Sequence, residues 1–121
     1  MAFSPDGRLL ASGDSDQKVK LWDWAARQEI RTLGQHTHHV FGVAFRPDGR
    51  YLASASWEEV ILWDAQTWKS VRTLNGHAGT VWGVAFSSDG QHLAVASGYK
   101  GKGEITVWDA AMWKNKSGGE P

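Results

Sequence analysis

The stretch VFGVAFRPDGRYLASASWEEVILWD, from Val40 to Asp64, holds three apolar runs separated by turn chemistry. Arg46-Pro47-Asp48-Gly49 has the residues of a tight turn: proline presets φ, aspartate caps its own backbone, and glycine accepts φ > 0. On either side, Val40 to Phe45 and the run beginning Leu52-Ala53-Ser54 read as antiparallel strands, followed by a strand from Val60 to Trp63. The same order occurs twice more. AFSPDG spans Ala2 to Gly7 and AFSSDG spans Ala85 to Gly90, and the phenylalanines Phe3, Phe45 and Phe86 lie 42 and 41 residues apart. Each unit then reaches a Trp-Asp pair, Trp22-Asp23, Trp63-Asp64 and Trp108-Asp109, at intervals of 41 and 45 residues. His36 and His77 each stand nine residues before the next of these phenylalanines. Three signals in one phase mark an internal repeat, and a period of about 40–45 residues is that of propeller blades.

A fourth strand follows the Trp-Asp pair in two units, Glu29 to Leu33 and Ser70 to Leu74, so each unit reads as a four-stranded meander. On these motifs the chain resembles the WD-repeat family of β-propellers, with the unit from Gln35 to Leu74 the fullest match. The resemblance implies an all-β fold of four-stranded blades around a channel. The expected form is an open arc of about three blades, not a closed ring on its own. The blades are expected at 1–33, with a shortened first strand, at 34–74, and at 75–114, with a weak fourth strand; a polar tail follows at 115–121. Covering both faces of each blade calls for further blades of a parent chain or other copies of this one.

The resemblance also implies a buried hydrogen-bonded tetrad of His, Ser or Thr, Asp and Trp in each blade. Carried over residue by residue it gives Ser12, Asp16 and Trp22; then His36, Ser54 and Trp63, with Glu58 near the Asp position; then His77 and Trp108, with Val95 in the serine position unless Ser97 substitutes. With no unit holding all four, the blades are expected to rely mainly on packing.

The functional expectation is a non-catalytic protein-interaction scaffold. Alternatives are a regulatory or targeting segment of a multidomain enzyme, or a self-assembling few-blade unit. Candidate partner contacts are Phe41 and Trp82 at equivalent positions on the first strands, Trp57, and Tyr99 with Lys100 on a hairpin tip. Packing between blades is the first reading for Phe41 and Trp82. Trp57 is either an exposed anchor or a plug over the tetrad. Trp68 and Trp113, each five residues after a blade tryptophan, stand where the family often has glycine; tryptophan resists φ > 0, so a different turn is expected there.

Thirteen basic and thirteen acidic residues give zero formal charge, which argues against nucleic acid as the main partner. With no cysteine there is neither a disulfide framework nor a thiolate metal site. His36, His38 and His39 cluster, but zinc needs three or four converging ligands, so no metal or cofactor is expected. The loop Gly98 to Gly103 fails the spacing of a phosphate cradle. Nothing resembles a nucleophile elbow or a paired-carboxylate site, so no catalytic residues are expected. No run approaches the ~18 apolar residues of a membrane span. With no leader or span read from the sequence, cytoplasm is the default expectation.

Overall fold

The computed structural model describes residues 1–13, 17–34, 36, 39–57, 59–74, 80–99, 102–109 and 114–115, with only the backbone described at 99, 102, 114 and 115. The described residues form twelve strands. The first sheet holds β1 (Ala2–Phe3), β2 (Leu9–Gly13), β3 (Val19–Asp23) and β4 (Gln28–Leu33). The second holds β5 (Gly42–Phe45), β6 (Tyr51–Ala55), β7 (Val60–Asp64) and β8 (Ser70–Leu74). The third holds β9 (Thr80–Phe86), β10 (His92–Tyr99), β11 (Lys102–Asp109) and β12 (Lys114–Asn115). Each is a meander in chain order with antiparallel pairing throughout. Asn115, expected in the tail, pairs with Trp108 and so belongs to the last strand. A fourth strand therefore exists in the third sheet, though of two residues.

The turn between the first two strands of each sheet is built as its sequence requires. Gly7, Gly49 and Gly90 have φ of 76°, 75° and 74°, and each donates its N–H to the carbonyl three residues back at 2.7–2.9 Å. Asp6, Asp48 and Asp89 accept the N–H two residues on, at 3.0, 2.9 and 3.0 Å. In the first and third turns Ser4 and Ser87 hydroxyls also donate to these carboxylates at 2.6 Å, which holds both aspartates below the usual carboxylate range. Arg46 takes the serine's place in the middle turn, its guanidinium 3.6 Å from Asp48.

Strand alternation then sends each sheet's apolar residues to two faces. In the middle sheet Leu52, Ile61 and Trp63 face the first sheet, meeting Ala11, Val19, Leu21 and Leu33. Ala53, Ala55, Val60, Leu62 and Leu74 face the third, meeting Val81, Leu93, Val95 and Trp108. The stack thus has two buried layers with the middle sheet between them. Close approach needs small residues: a Cβ on Gly13 would stand 2.5 Å from Val40 Cγ1 and 2.8 Å from its carbonyl oxygen, so the first junction closes only over glycine.

The Trp68 turn departs from expectation. Trp68 does take the left-handed conformation, with φ 57°, as does Arg27 at the equivalent position with φ 55°. The turn before it is over-determined: Asp64 Oδ1 accepts the Gln66 N–H at 2.7 Å, and the Trp68 N–H donates to the Asp64 carbonyl at 2.7 Å. The indole packs against the layer between the first two sheets, which offsets the backbone cost. Trp113 lies outside the described residues.

Candidate functional site

Two features stand apart from plain packing: a buried polar chain in the middle blade and an aromatic cleft on its rim. β6 carries Ser54 and β7 carries Trp63 on the face toward the first sheet, while the segment before β5 brings His36 beside them. Trp63 Nε1 donates to Ser54 Oγ at 2.8 Å, and Ser54 Oγ lies 2.6 Å from His36 Nε2. His36 Nδ1 lies 3.1 Å from Glu59 Oε1. Because a carboxylate only accepts, the imidazole proton sits on Nδ1, and the chain runs Trp63 to Ser54 to His36 to Glu59. Burial pushes the His36 pKa down against the opposing pull of Glu59, so the ring is neutral.

This changes the expectation for the middle blade. Four polar groups are connected, and the acid is Glu59; Glu58 lies outside the described residues. The turn is one residue shorter than the motif's, and this is where spacing fails to tell two adjacent acids apart. In the first blade Trp22 Nε1 donates to Ser12 Oγ at 3.0 Å, while Asp16 lies outside the described residues. In the third blade Val95 pairs with Thr106 and is fully buried at the serine position, where it has no oxygen to offer. Ser97, two residues on, is also buried, and its hydroxyl makes no hydrogen bond among the described residues. Trp108 is buried between the second and third sheets. His77 lies outside the described residues.

On the rim, Phe41 and Trp82 stand at the starts of β5 and β9 and touch across the blade junction, with ring centroids 5.5 Å apart. His39 lies 6.1 Å from Phe41 on the other side. Trp57, in the β6–β7 turn, bridges to Thr80 and completes a shallow cleft of about 240 Å³ lined by His39, Phe41, Trp57 and Thr80. Phe41, Trp57 and Trp82 remain 45%, 44% and 61% exposed, so the Phe41–Trp82 contact leaves both rings accessible to solvent. Trp57 belongs to neither buried layer. The β10–β11 hairpin joins this cleft through Gly98, which pairs with Thr80. Its pairing continues through Gly98–Gly103 to Tyr99–Lys102, so the expected loop is mostly strand. Lys100 lies outside the described residues, and so does the side chain of Tyr99. Among the described residues there is no cluster of three or more metal-ligating side chains. No described helix is long and apolar enough to cross a membrane.

Three stacked four-stranded meanders with a Trp-Ser-His chain define a β-propeller arc. The profile of the family described as WD domain, G-beta repeat matches residues 1–23, 27–64 and 68–109, and the chain belongs to that family. The β-propeller domain of Cps50 (Swd1) from Myceliophteria thermophila superposes with a TM-score of 0.77 at 29% identity, over 88% of this chain and 34% of that one. Periodic tryptophan protein 2 of Arabidopsis thaliana is 47% identical over 57 residues, 46% of this chain. The transcriptional corepressor LEUNIG_HOMOLOG, from the same plant, is 40% identical over 60 residues, 50% of this chain. The matched stretches span 6% and 8% of those two relatives.

Proposed function

We propose that the chain is a non-catalytic protein-interaction scaffold, a WD-repeat segment of a β-propeller whose rim takes a peptide or loop of a partner protein. The observation that carries this is the exposed aromatic cleft of His39, Phe41 and Trp57, with Trp82 against Phe41 beside it. Aromatic anchors dominate binding energy at interfaces, and rigid sheets present these at little entropic cost. The reading needs no metal or cofactor, and the balanced charge of the chain favours protein over nucleic acid.

Selection of a random peptide library on the immobilised full chain tests it. Binders are expected to be displaced or weakened by about 30-fold or more in Trp57→Ala and Trp82→Ala, as for hot-spot anchors. Ile30→Ala and Val71→Ala, on the outer strands β4 and β8, are expected to leave binding unchanged. Binders that tolerate every change in the cleft would overturn the assignment.

A further inference from the structure

The polar chain of the middle blade ends on the turn that builds the rim cleft. Glu59 closes the β6–β7 turn: the Ser56 N–H donates to its carbonyl at 3.0 Å. Ser56 ties the turn to both neighbours of the cleft. Its hydroxyl donates to the His39 carbonyl at 2.8 Å, and its own carbonyl accepts the Val81 N–H at 3.2 Å. Trp57, the next residue, bridges to Thr80 and forms one wall. One short turn thus carries the Trp57 wall, and the imidazole of His36 grips its far end through Glu59 at 3.1 Å. The His36 side chain is fully shut off from solvent, while that of Glu59 is 19% exposed.

With the ring neutral, every hydrogen of the chain has a place. His36 donates from Nδ1 to Glu59, Ser54 donates its hydroxyl to Nε2, and Trp63 donates to Ser54 Oγ. A proton added at Nε2 reverses the middle bond. Ser54 Oγ then receives two N–H donors, and its own hydrogen loses the acceptor it had, in a fully buried position. The imidazolium gains only at its other end, where the Glu59 carboxylate becomes a charged partner. Among the described residues Glu59 is the charge whose field reaches the ring. Ser54 from β6 and Trp63 from β7 are uncharged, and Lys18, before β3, is exposed, with its stem beside Gly34. His39, on the ring's own segment, has its imidazole in the cleft.

We propose that His36 and Glu59 form a proton-operated latch on the β6–β7 turn. Protonation of His36 breaks its bond to Ser54, draws the ring toward Glu59 and shifts the turn, so that Trp57 leaves its place beside Thr80 and the cleft releases its peptide. That role rests on the rim cleft being where a partner docks. Burial holds proton uptake by the ring below the ordinary 6.5. The cleft is therefore fully formed above that pH and is lost as pH falls through the lowered pKa, with affinity dropping by up to about tenfold per pH unit.

An NMR titration of the full chain between pH 7.5 and 5.5 tests it, following the His36 ring and the indole N–H signals, assigned by Trp→Phe replacement. Trp57 and Trp63 are expected to shift with the single midpoint of His36, while Trp22, bonded to Ser12 in a sheet with no histidine, stays unmoved. Glu59→Gln keeps an acceptor but removes the charge, and is expected to carry the His36 and Trp57 midpoints together to lower pH. His36→Gln is expected to erase that midpoint from Trp57. A Trp57 signal that ignores the His36 midpoint, or that titrates unchanged in His36→Gln, would overturn the latch. The titration needs no partner, so its failure leaves the scaffold reading standing. A peptide selected from the random library at pH 7.5 reads the consequence: it is expected to weaken at pH 5.5 on the wild type and to lose that pH dependence on His36→Gln. Equal binding to the wild type at both pH values would also overturn the latch, whereas a library that yields no binder counts against the scaffold reading alone.

Discussion

Replacing Ser54 by alanine removes one oxygen that serves two buried partners. Trp63 Nε1 loses its acceptor at 2.8 Å and His36 Nε2 loses its neighbour at 2.6 Å, and all three side chains lie out of solvent. Stranding a buried polar group costs ~1–3 kcal/mol, so the two together cost about 2–4 kcal/mol once partial relaxation is allowed. The volume change is one oxygen atom, so cavity cost adds little. In the first sheet Ser12→Ala deletes the equivalent bond, but that face is half-open and water replaces the lost acceptor, so about 0.5 kcal/mol is expected. Urea unfolding followed by circular dichroism reads the contrast. With a slope of ~2 kcal/mol per molar, Ser54→Ala shifts the midpoint down by about 1–2 M and Ser12→Ala by a few tenths. Equal shifts for the two variants, or no shift for Ser54→Ala, would refute the argument that the polar chain braces the middle blade.

His36 makes the fold acid-sensitive earlier than its carboxylates do. Its folded pKa lies below the ordinary 6.5, so the unfolded chain binds more protons as pH falls below that value. Stability is therefore full above about pH 6.5 and declines on acidification, whereas the depressed Asp6 and Asp89 lose theirs only below the ordinary 3.8. Thermal melts between pH 7.5 and 5 check this: the wild type is expected to lose stability across the window, and His36→Gln, weaker at neutral pH, to show a flatter profile. Gly13→Ala is expected to cost about 1–3 kcal/mol by driving a methyl into Val40, while Gly83→Ala, with open space at its Cβ, is expected to be neutral, as denaturation curves will show. Arg27→Gly relieves a left-handed backbone at an exposed residue and is expected to stabilise by about 0.5–1 kcal/mol, read from the same curves.

The repeat was legible because three unrelated chemical needs recur in one phase. Turn glycines at Gly7, Gly49 and Gly90, strand alternation, and the Trp-Asp endings all survive as sequence patterns, and each maps onto one local geometry. The partners of Trp63 were legible in part. Ser54 and His36 are what the family resemblance implies, but choosing Glu59 required the conformation of a shortened turn. The left-handed φ of Trp68 was hidden, since residue type argues against it and only Asp64 and the packed ring make it tolerable. Phe41 and Trp82 were visible as a matched pair. That they both touch and stay exposed depends on where two separate sheets meet.

Three sheets stack with the middle one enclosed on both sides. Amide hydrogen exchange on the full chain tests it most directly. Exchange is expected to be slowest in β6 and β7, with β1, β4 and β12 fastest. Even protection across all three sheets, or a middle sheet that opens before its neighbours, would contradict it.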